Sequence, residues 1–168
     1  MAEIKLHGDT IHTSGTVPPA GAKLKDFSLT AADLSDKKLA DFQGSKLVLN
    51  IFPSVDTGVC AASVRRFNKE AGSLQNTVVL CISRDLPFAQ GRFCGAEGLD
   101  NVSMLSEMRD NSFGKDYGVD ITDGPLQSLL SRVVIVADAD GKVVYSEQVP
   151  EIGQEPDYEA AIEAVKKS

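Results

Sequence analysis

Two short apolar runs and the segment between them define the first predicted unit of structure. Residues 46–52 (KLVLNIF) and 77–83 (TVVLCIS) are rich in branched side chains. Each run is too short for a buried helix, so both predict strands that are covered on both faces. Between them, Val64 and Phe67 keep helical spacing and Arg65 supplies a polar side, which predicts an amphipathic helix. A right-handed crossover of this kind implies that the two strands are parallel.

Other patterns predict hairpins near both ends of the chain. Residues 4–13 alternate around a His-Gly-Asp turn, and residues 131–149 form two apolar stretches around an Asp-Gly pair. Pro156 then begins a predicted C-terminal helix. This order indicates an α/β, thioredoxin-like fold with a central mixed sheet flanked by helices, plus an N-terminal β-hairpin. We expect residues 1–168 to form a single domain, because no repeat or linker divides them.

Composition narrows the possible partners and the location. The 17 basic and 24 acidic residues give a net charge of −7 and are scattered, which argues against nucleic acid and an anionic membrane as partners. The N-terminus has no signal-peptide pattern, and no apolar run approaches the roughly 18 residues of a membrane helix. Three cysteines are too few for a secreted disulfide scaffold. We therefore expect a cytoplasmic protein, in which a reversible disulfide would be catalytic or sensory.

The stretch FPSVDTGVC places a cysteine in the first turn of the predicted helix. If Thr57 is the N-cap, Cys60 is the third helical residue and lies in the positive field of the helix N-terminus. Thiols at such positions ionise readily, and the thiolate is the nucleophile. Pro53 and Gly58 shape a loop that could hold Cys60 under a small open pocket. The alternative is that Cys60 packs on the apolar face of the helix, and position alone leaves both open.

A second cysteine lies in the stretch DLPFAQGRFCGAEGL. Here Asp85 could cap a helix and Pro87 could begin it, while three glycines weaken it by up to about 1 kcal/mol each. A cysteine on a helix that opens easily can travel to another sulfur, which makes Cys94 a candidate partner for Cys60. The alternative is that Cys94 packs beside Phe93 and does not move.

The remaining cysteine and the histidines do not suggest a metal site. Cys81 stands in the middle of an apolar strand, where burial makes a thiol inert. No C-x-x-C pair occurs, and His7 and His12 fall in the predicted N-terminal hairpin, so neither a metal nor a cofactor is expected.

The two cysteine motifs carry a resemblance to a known family. The chain resembles the bacterial thiol peroxidases, the atypical two-cysteine peroxiredoxins, over nearly its whole length. Its FPSVDTGVC contains the peroxiredoxin pattern P-x-x-x-T-x-x-C as Pro53, Thr57 and Cys60. The resemblance implies that Cys60 is the peroxidatic cysteine and Cys94 the resolving cysteine. It also implies that Arg132, which begins RVVIVA, is the active-site arginine.

The same resemblance implies a function in antioxidant defence. Cys60 would reduce a hydroperoxide, become a sulfenic acid, and condense with Cys94 to a disulfide that thioredoxin recycles. The family's typical homodimer and its preference for alkyl or lipid hydroperoxides over hydrogen peroxide are implied as well. Phe52, Val55 and Phe93 could support that preference, or could belong to the core.

Two other functions remain open at this stage. A disulfide oxidoreductase acting on protein thiols would share the fold, but such enzymes usually carry C-x-x-C where this chain has Cys60 followed by Ala61, Ala62 and Ser63. A redox-sensing module would use peroxide as a signal and its disulfide as a switch. Peroxide turnover and recycling by thioredoxin distinguish these alternatives from a peroxidase.

Overall fold

The computed structural model describes residues 1–168 and contains nine strands, four α-helices and one 3₁₀ helix. The strands are β1 (Glu3–Leu6), β2 (Asp9–His12), β3 (Ser28–Ala31), β4 (Asp36–Lys38), β5 (Lys46–Ile51), β6 (Thr77–Ser83), β7 (Ser103–Ser106), β8 (Val133–Ala137) and β9 (Val143–Gln148). The helices are α1 (Gly58–Ala71), α2 (Pro87–Glu97), α3 (Ser112–Asp116) and α4 (Tyr158–Lys167), and the 3₁₀ helix is Leu39–Phe42.

Seven strands form one mixed sheet, and the first two form a separate hairpin. The sheet order is β4-β3-β7-β6-β5-β8-β9, in which β5, β6 and β7 are mutually parallel and the other pairs are antiparallel. β1 pairs with β2 in the antiparallel sense. The predicted thioredoxin-like fold, with a mixed sheet, flanking helices and an N-terminal hairpin, is confirmed.

The central strands are covered on both faces, as their continuous apolar runs predict. Alternate residues of β5 enter two separate clusters, with Leu49 on one face and Val48 on the other. On the Val48 face, α1 contributes Val64 and Phe67, and α4 packs beside them. Both cysteines of the candidate site, together with Cys81, belong to or contact this second cluster, so the α1 face of the sheet carries the site.

The C-terminal part follows the prediction with one correction. β8 and β9 form the expected hairpin, and Gly141 has a φ of +79° in its turn. The last helix begins at Tyr158 rather than at Pro156, because the Asp157 side chain accepts a hydrogen bond from the Ala160 backbone N–H and caps it. None of the helices is both long and apolar enough to cross a bilayer.

The N-terminal hairpin packs against the segments that surround the start of β8. Ile4 and Ile11 form a small apolar cluster with Ile121 and Ile152. The Ile152 N–H also donates to the Lys5 carbonyl at 2.9 Å. The hairpin therefore holds the segment that contains Ile152, whose carbonyl contributes to the site described next.

Candidate active site

Cys60 lies in the first turn of α1, where the sequence motif predicts it. Thr57 is the N-cap residue with an extended backbone, so Cys60 is the third residue of the helix. Its side chain is 0% exposed and packs with Val64 and Phe67. Cys60 can therefore be a reactive thiol and a packing residue together, because its side chain lies at the helix N-terminus and also on the apolar face. What distinguishes it from a packing residue is the group that contacts its sulfur.

That group is the guanidinium of Arg132, which is itself only 2% exposed. Its Nη2 donates a hydrogen bond to the Cys60 Sγ at 3.3 Å, and its Nε donates to the Ile152 carbonyl at 2.8 Å. The Nη1 group is buried without a hydrogen-bond partner. A buried donor without a partner is rare in folded proteins, and here it belongs to the cation that touches the sulfur. The site can thus stabilise a thiolate and still offer a donor to a bound oxygen.

The loop before α1 turns back on itself through Thr57. Pro53 is buried, whereas Thr57 is exposed. The Thr57 hydroxyl donates to the Ser54 carbonyl at 3.2 Å, and the Thr57 N–H donates to the same oxygen at 3.3 Å. The Thr57 hydroxyl is therefore engaged within the loop and makes no hydrogen bond to the sulfur of Cys60.

Asp85 belongs to this site, and its predicted role as the cap of α2 is wrong. It does not cap α2, because Leu86 is the N-cap residue and Pro87 is the first helical residue. The Asp85 carboxylate instead accepts hydrogen bonds from the Ser54 hydroxyl at 2.7 Å and the Val55 N–H at 2.9 Å. Its position directly after β6 was the available signal, since side chains that follow neighbouring parallel strands meet at one edge of the sheet.

Cys94 lies in the last turn of α2 and is half-buried at the edge of the apolar cluster that contains Cys60. Burial raises the pKa of its thiol, and the nearby Asp100 raises it further. All three cysteines are free thiols in this structure. The helix ends as its glycines suggest, with Gly98 in the left-handed region at a φ of +65°.

The α1–α2 contact lies farther along α1 than Cys60. Arg65 and Glu97 form a two-bonded ion pair at 2.8 Å and 3.0 Å, and the Arg65 guanidinium lies 5.9 Å from the centre of the Phe93 ring. Both charged side chains are substantially exposed, so the pair is worth at most about 1 kcal/mol. This surface contact between α1 and α2 is therefore easily broken, and α2 is held mainly where it packs on β7.

Cys81 is buried in β6, as predicted, and its sulfur is 0% exposed. Burial raises the pKa of this thiol to about 12. The Asn50 amide, whose Nδ2 lies 3.7 Å from the sulfur, lowers the pKa by a smaller amount. The Asn50 amide also donates to the Ser63 hydroxyl at 3.2 Å, and Ser63 donates to the Cys60 carbonyl at 2.8 Å. This buried polar chain links β5 to the first turns of α1, and no sequence motif pointed to it.

The histidines lie away from any metal-binding arrangement. His7 is in the turn between β1 and β2, and His12 is in β2 with its Nδ1 at 2.7 Å from Asp123 Oδ2. No group of three or more His, Cys, Asp or Glu residues could hold a metal ion in this structure.

Comparison with known proteins identifies the family and the fold of this chain. The sequence model of the Redoxin family matches residues 19–162. Thiol peroxidases of Corynebacterium glutamicum and Mycobacterium bovis are each 54% identical over 165 residues, which is 98% of this chain and 99% of theirs. The crystal structure of a peroxiredoxin-like protein from Aquifex aeolicus superimposes with a TM-score of 0.93 at 33% identity, over 99% of this chain and 97% of that one.

The chain belongs to the Redoxin family, and its fold is that of the peroxiredoxins. Within that class its enzymatic type is the thiol-dependent peroxidase, and the resemblance to the thiol peroxidases is confirmed.

Proposed function

We propose that Cys60 is the thiol that reacts with the hydroperoxide and that Arg132 assists it. The observation that carries this proposal is the 3.3 Å hydrogen bond from Arg132 to the Cys60 sulfur, made by a guanidinium whose Nη1 is free. The Cys60 thiolate attacks the terminal peroxide oxygen, so that an S–O bond forms while the O–O bond breaks. The departing oxygen takes up a proton and leaves as alcohol or water. Arg132 stabilises the negative charge as it moves from sulfur to the leaving oxygen.

Pro53 and Thr57 support this step by shaping the pocket. Pro53 is buried at the start of the loop and restricts its backbone. The Thr57 hydroxyl is exposed next to the helix N-terminus and bonds only within the loop. Turning its hydroxyl towards a bound peroxide would exchange one hydrogen bond for another, at little cost.

Cys94 serves as the second thiol in the proposed cycle. Oxidation leaves Cys60 as a sulfenic acid, and the Cys94 sulfur displaces its hydroxyl as water to form the Cys60–Cys94 disulfide. Burial raises the pKa of the Cys94 thiol, which disfavours Cys94 as the thiol that attacks the peroxide first. An external dithiol, thioredoxin in our proposal, restores both thiols by disulfide exchange and is itself oxidised.

The proposed preference for alkyl or lipid hydroperoxides and the proposed homodimer draw on apolar residues near Cys60 and at the start of α2. Phe52 and Val55 are 0% and 2% exposed and pack in the same apolar cluster as Cys60, so they belong to the core around the site. Half-buried Phe93 remains as an apolar contact for an alkyl or lipid hydroperoxide. For the proposed homodimer, Leu86 and Phe88 at the start of α2 are 55% and 68% exposed and offer apolar surface for a second copy.

We place this activity in one domain formed by residues 1–168 and in the cytoplasm. The N-terminal hairpin shares a cluster with Ile121 and Ile152, which supports a single folding unit. A cycle through two free thiols requires a reducing compartment, which supports the cytoplasmic location.

The test is stopped-flow peroxide consumption by the fully reduced protein, with cumene hydroperoxide and hydrogen peroxide, followed by mass mapping of the disulfide. We expect fast consumption, a Cys60–Cys94 bond and turnover in the presence of thioredoxin. Cys60→Ser should abolish turnover with both peroxides. An active Cys60→Ser protein, or a disulfide that includes Cys81, would refute the assignment. Reduction of protein disulfides without peroxide turnover would favour the oxidoreductase, and oxidation without recycling would favour a sensor.

A further inference from the structure

Asp85 lies in the short connection between β6 and α2, and its carboxylate faces the loop that precedes Cys60. One carboxylate oxygen accepts from the Ser54 hydroxyl at 2.7 Å. The other accepts from the Val55 N–H at 2.9 Å and from the Ser83 hydroxyl at 2.6 Å. Two of these three donors belong to the loop between Phe52 and Thr57, so Asp85 joins that loop directly to the strand and helix that follow in the chain.

The backbone on either side of Asp85 is held by the rest of the sheet. The Ser106 hydroxyl at the end of β7 donates to the Asp85 carbonyl. The preceding residue, Arg84, donates to Glu107 at 2.6 Å and to Asp120 at 2.7 Å. Glu107 is almost fully buried, so this pair is not a mobile surface contact. The carboxylate is thus presented from a fixed frame, and the loop with Ser54 and Val55 is the part that it can restrain.

We propose that Asp85 is a positioning residue for the peroxidase reaction. Its hydrogen bonds to Ser54 and Val55 hold the loop that leads into the first turn of α1, where Cys60 meets Arg132. Hydrogen bonds to a carboxylate are among the stronger ones in proteins, and this carboxylate makes two of them to one loop. Because α2 begins two residues after Asp85, the same side chain ties the Cys60 loop to the helix that carries Cys94.

This role predicts different effects on the two chemical steps. Oxidation of Cys60 needs the loop in place, since the sulfur must keep its contact with Arg132. Formation of the disulfide needs the Cys60 sulfur, which is 0% exposed and held by Arg132, to leave that contact and bond to Cys94. Removing the carboxylate should therefore slow the first step and should not slow the second. A residue that merely supports the fold would not separate the steps in this way.

The experiment compares Asp85→Ala, Asp85→Asn and Asp56→Asn with the wild-type protein. Loss of hydrogen bonds to a charged acceptor predicts that Asp85→Ala lowers the second-order rate constant of Cys60 oxidation by about 10-fold to 100-fold. Asp85→Asn keeps an oxygen for the Val55 N–H, so it should retain most of the rate. Asp56 is a matched control, because it lies in the same loop, is exposed, and contacts only Arg92, at 3.6 Å, through its carboxylate. Asp56→Asn should stay within about twofold of wild type.

Because the chain has no tryptophan to report the steps by fluorescence, rapid quenching followed by mass spectrometry gives the rates of Cys60 oxidation and of disulfide formation. Urea unfolding shows that each variant is folded. Alkylation of Cys60 by a maleimide, mapped by mass spectrometry, reports release of the loop, because the thiol is 0% exposed when the loop is held. We expect Asp85→Ala to be alkylated faster at Cys60 while it is oxidised more slowly by peroxide. Equal slowing of both phases, or no change in Cys60 alkylation, would overturn the proposal.

The inference rests on the proposed role of Cys60, and the two can fail separately. If the wild-type protein reacts with peroxide at another thiol, the proposed function fails. The alkylation rate of Cys60 still measures whether Asp85 holds the loop, whichever thiol reacts with peroxide.

Discussion

Replacing Arg132 with methionine removes the cation that contacts the Cys60 sulfur while keeping an unbranched apolar stem. The wild-type guanidinium is 2% exposed, bonds the sulfur at 3.3 Å through Nη2, and bonds the Ile152 carbonyl at 2.8 Å through Nε. Methionine keeps the apolar contacts of the stem but makes neither hydrogen bond. The substitution therefore tests electrostatic assistance while the packing of the stem is kept.

The expected decrease in the rate of Cys60 oxidation follows from the contact between Arg132 and the Cys60 sulfur. At 3.3 Å and an effective dielectric constant of about 20, a unit positive and a unit negative charge attract by about 5 kcal/mol, which is the upper limit. A hydrogen bond to a charged group has a net value of about 1.5–3 kcal/mol, because desolvation offsets most of that attraction. At about 1.36 kcal/mol per tenfold, the rate of Cys60 oxidation should fall by about 10-fold to 160-fold.

The assay is the second-order rate constant for the first stopped-flow phase with cumene hydroperoxide. The control is Arg66→Met, which removes a cation from α1 that pairs with Glu70 and lies over the Tyr158 ring. That control should keep the wild-type rate within about twofold. If Arg132→Met also stays within about threefold of wild type while it remains folded, the guanidinium does not assist the reaction and the reasoning is wrong.

Three further predictions concern the other thiols and the N-terminal hairpin. Cys94→Ser should consume about one peroxide per subunit, fail to cycle with thioredoxin, and accumulate over-oxidised Cys60 in mass spectra. Cys81→Ser should keep the wild-type turnover rate, because burial raises the pKa of Cys81 to about 12 and leaves it an unreactive thiol. Asp123→Asn should destabilise the protein more at pH 5 than at pH 9, as measured by urea unfolding.

The sign of that pH dependence follows from the two partners. The ion pair raises the pKa of His12 above 6.5, so the contribution of His12 is present below pH 6.5 and is lost as the pH rises through the raised value. It lowers the pKa of Asp123 below 3.8, so that contribution is present above pH 3.8 and is lost in more acidic solution. The pair therefore stabilises most between about pH 4 and pH 6.5. A larger effect of Asp123→Asn at pH 9, sustained turnover by Cys94→Ser, or an inactive but folded Cys81→Ser would each contradict its prediction.

Local patterns predicted the elements that are long and strongly apolar. β5, β6, β8 and β9 come from apolar runs that are too short to form buried helices, and all four strands form as expected. β3, β4, β7 and α3 were not predicted, because each has only three to five residues and several are polar. β7 exists because it pairs with β6, and β3 because it pairs with β7. Such strands are stabilised by neighbours that are distant in the chain, so a local window does not reveal them.

Some features of the candidate site could likewise be predicted from local sequence, and others could not. The short motif around Cys60 determines that this cysteine stands at the start of a helix after an extended Thr57, because caps and turns depend on adjacent residues. The apolar sequence around Cys81 likewise determines its burial.

Contacts across the sheet were decided only by the tertiary structure. Arg132 reaches a sulfur 72 positions away, and Asp85 bonds a backbone N–H 30 positions away. Nothing local distinguishes this arginine from one at a solvated strand end, or this aspartate from a helix cap. The order of the strands brings β5, β6 and β8 side by side, so that the residues at their ends meet around Cys60. The sequence by itself thus determined which thiol stands at a helix N-terminus. The fold alone determined which charges surround that thiol, because electrostatic contacts depend on distance in space rather than on separation along the chain.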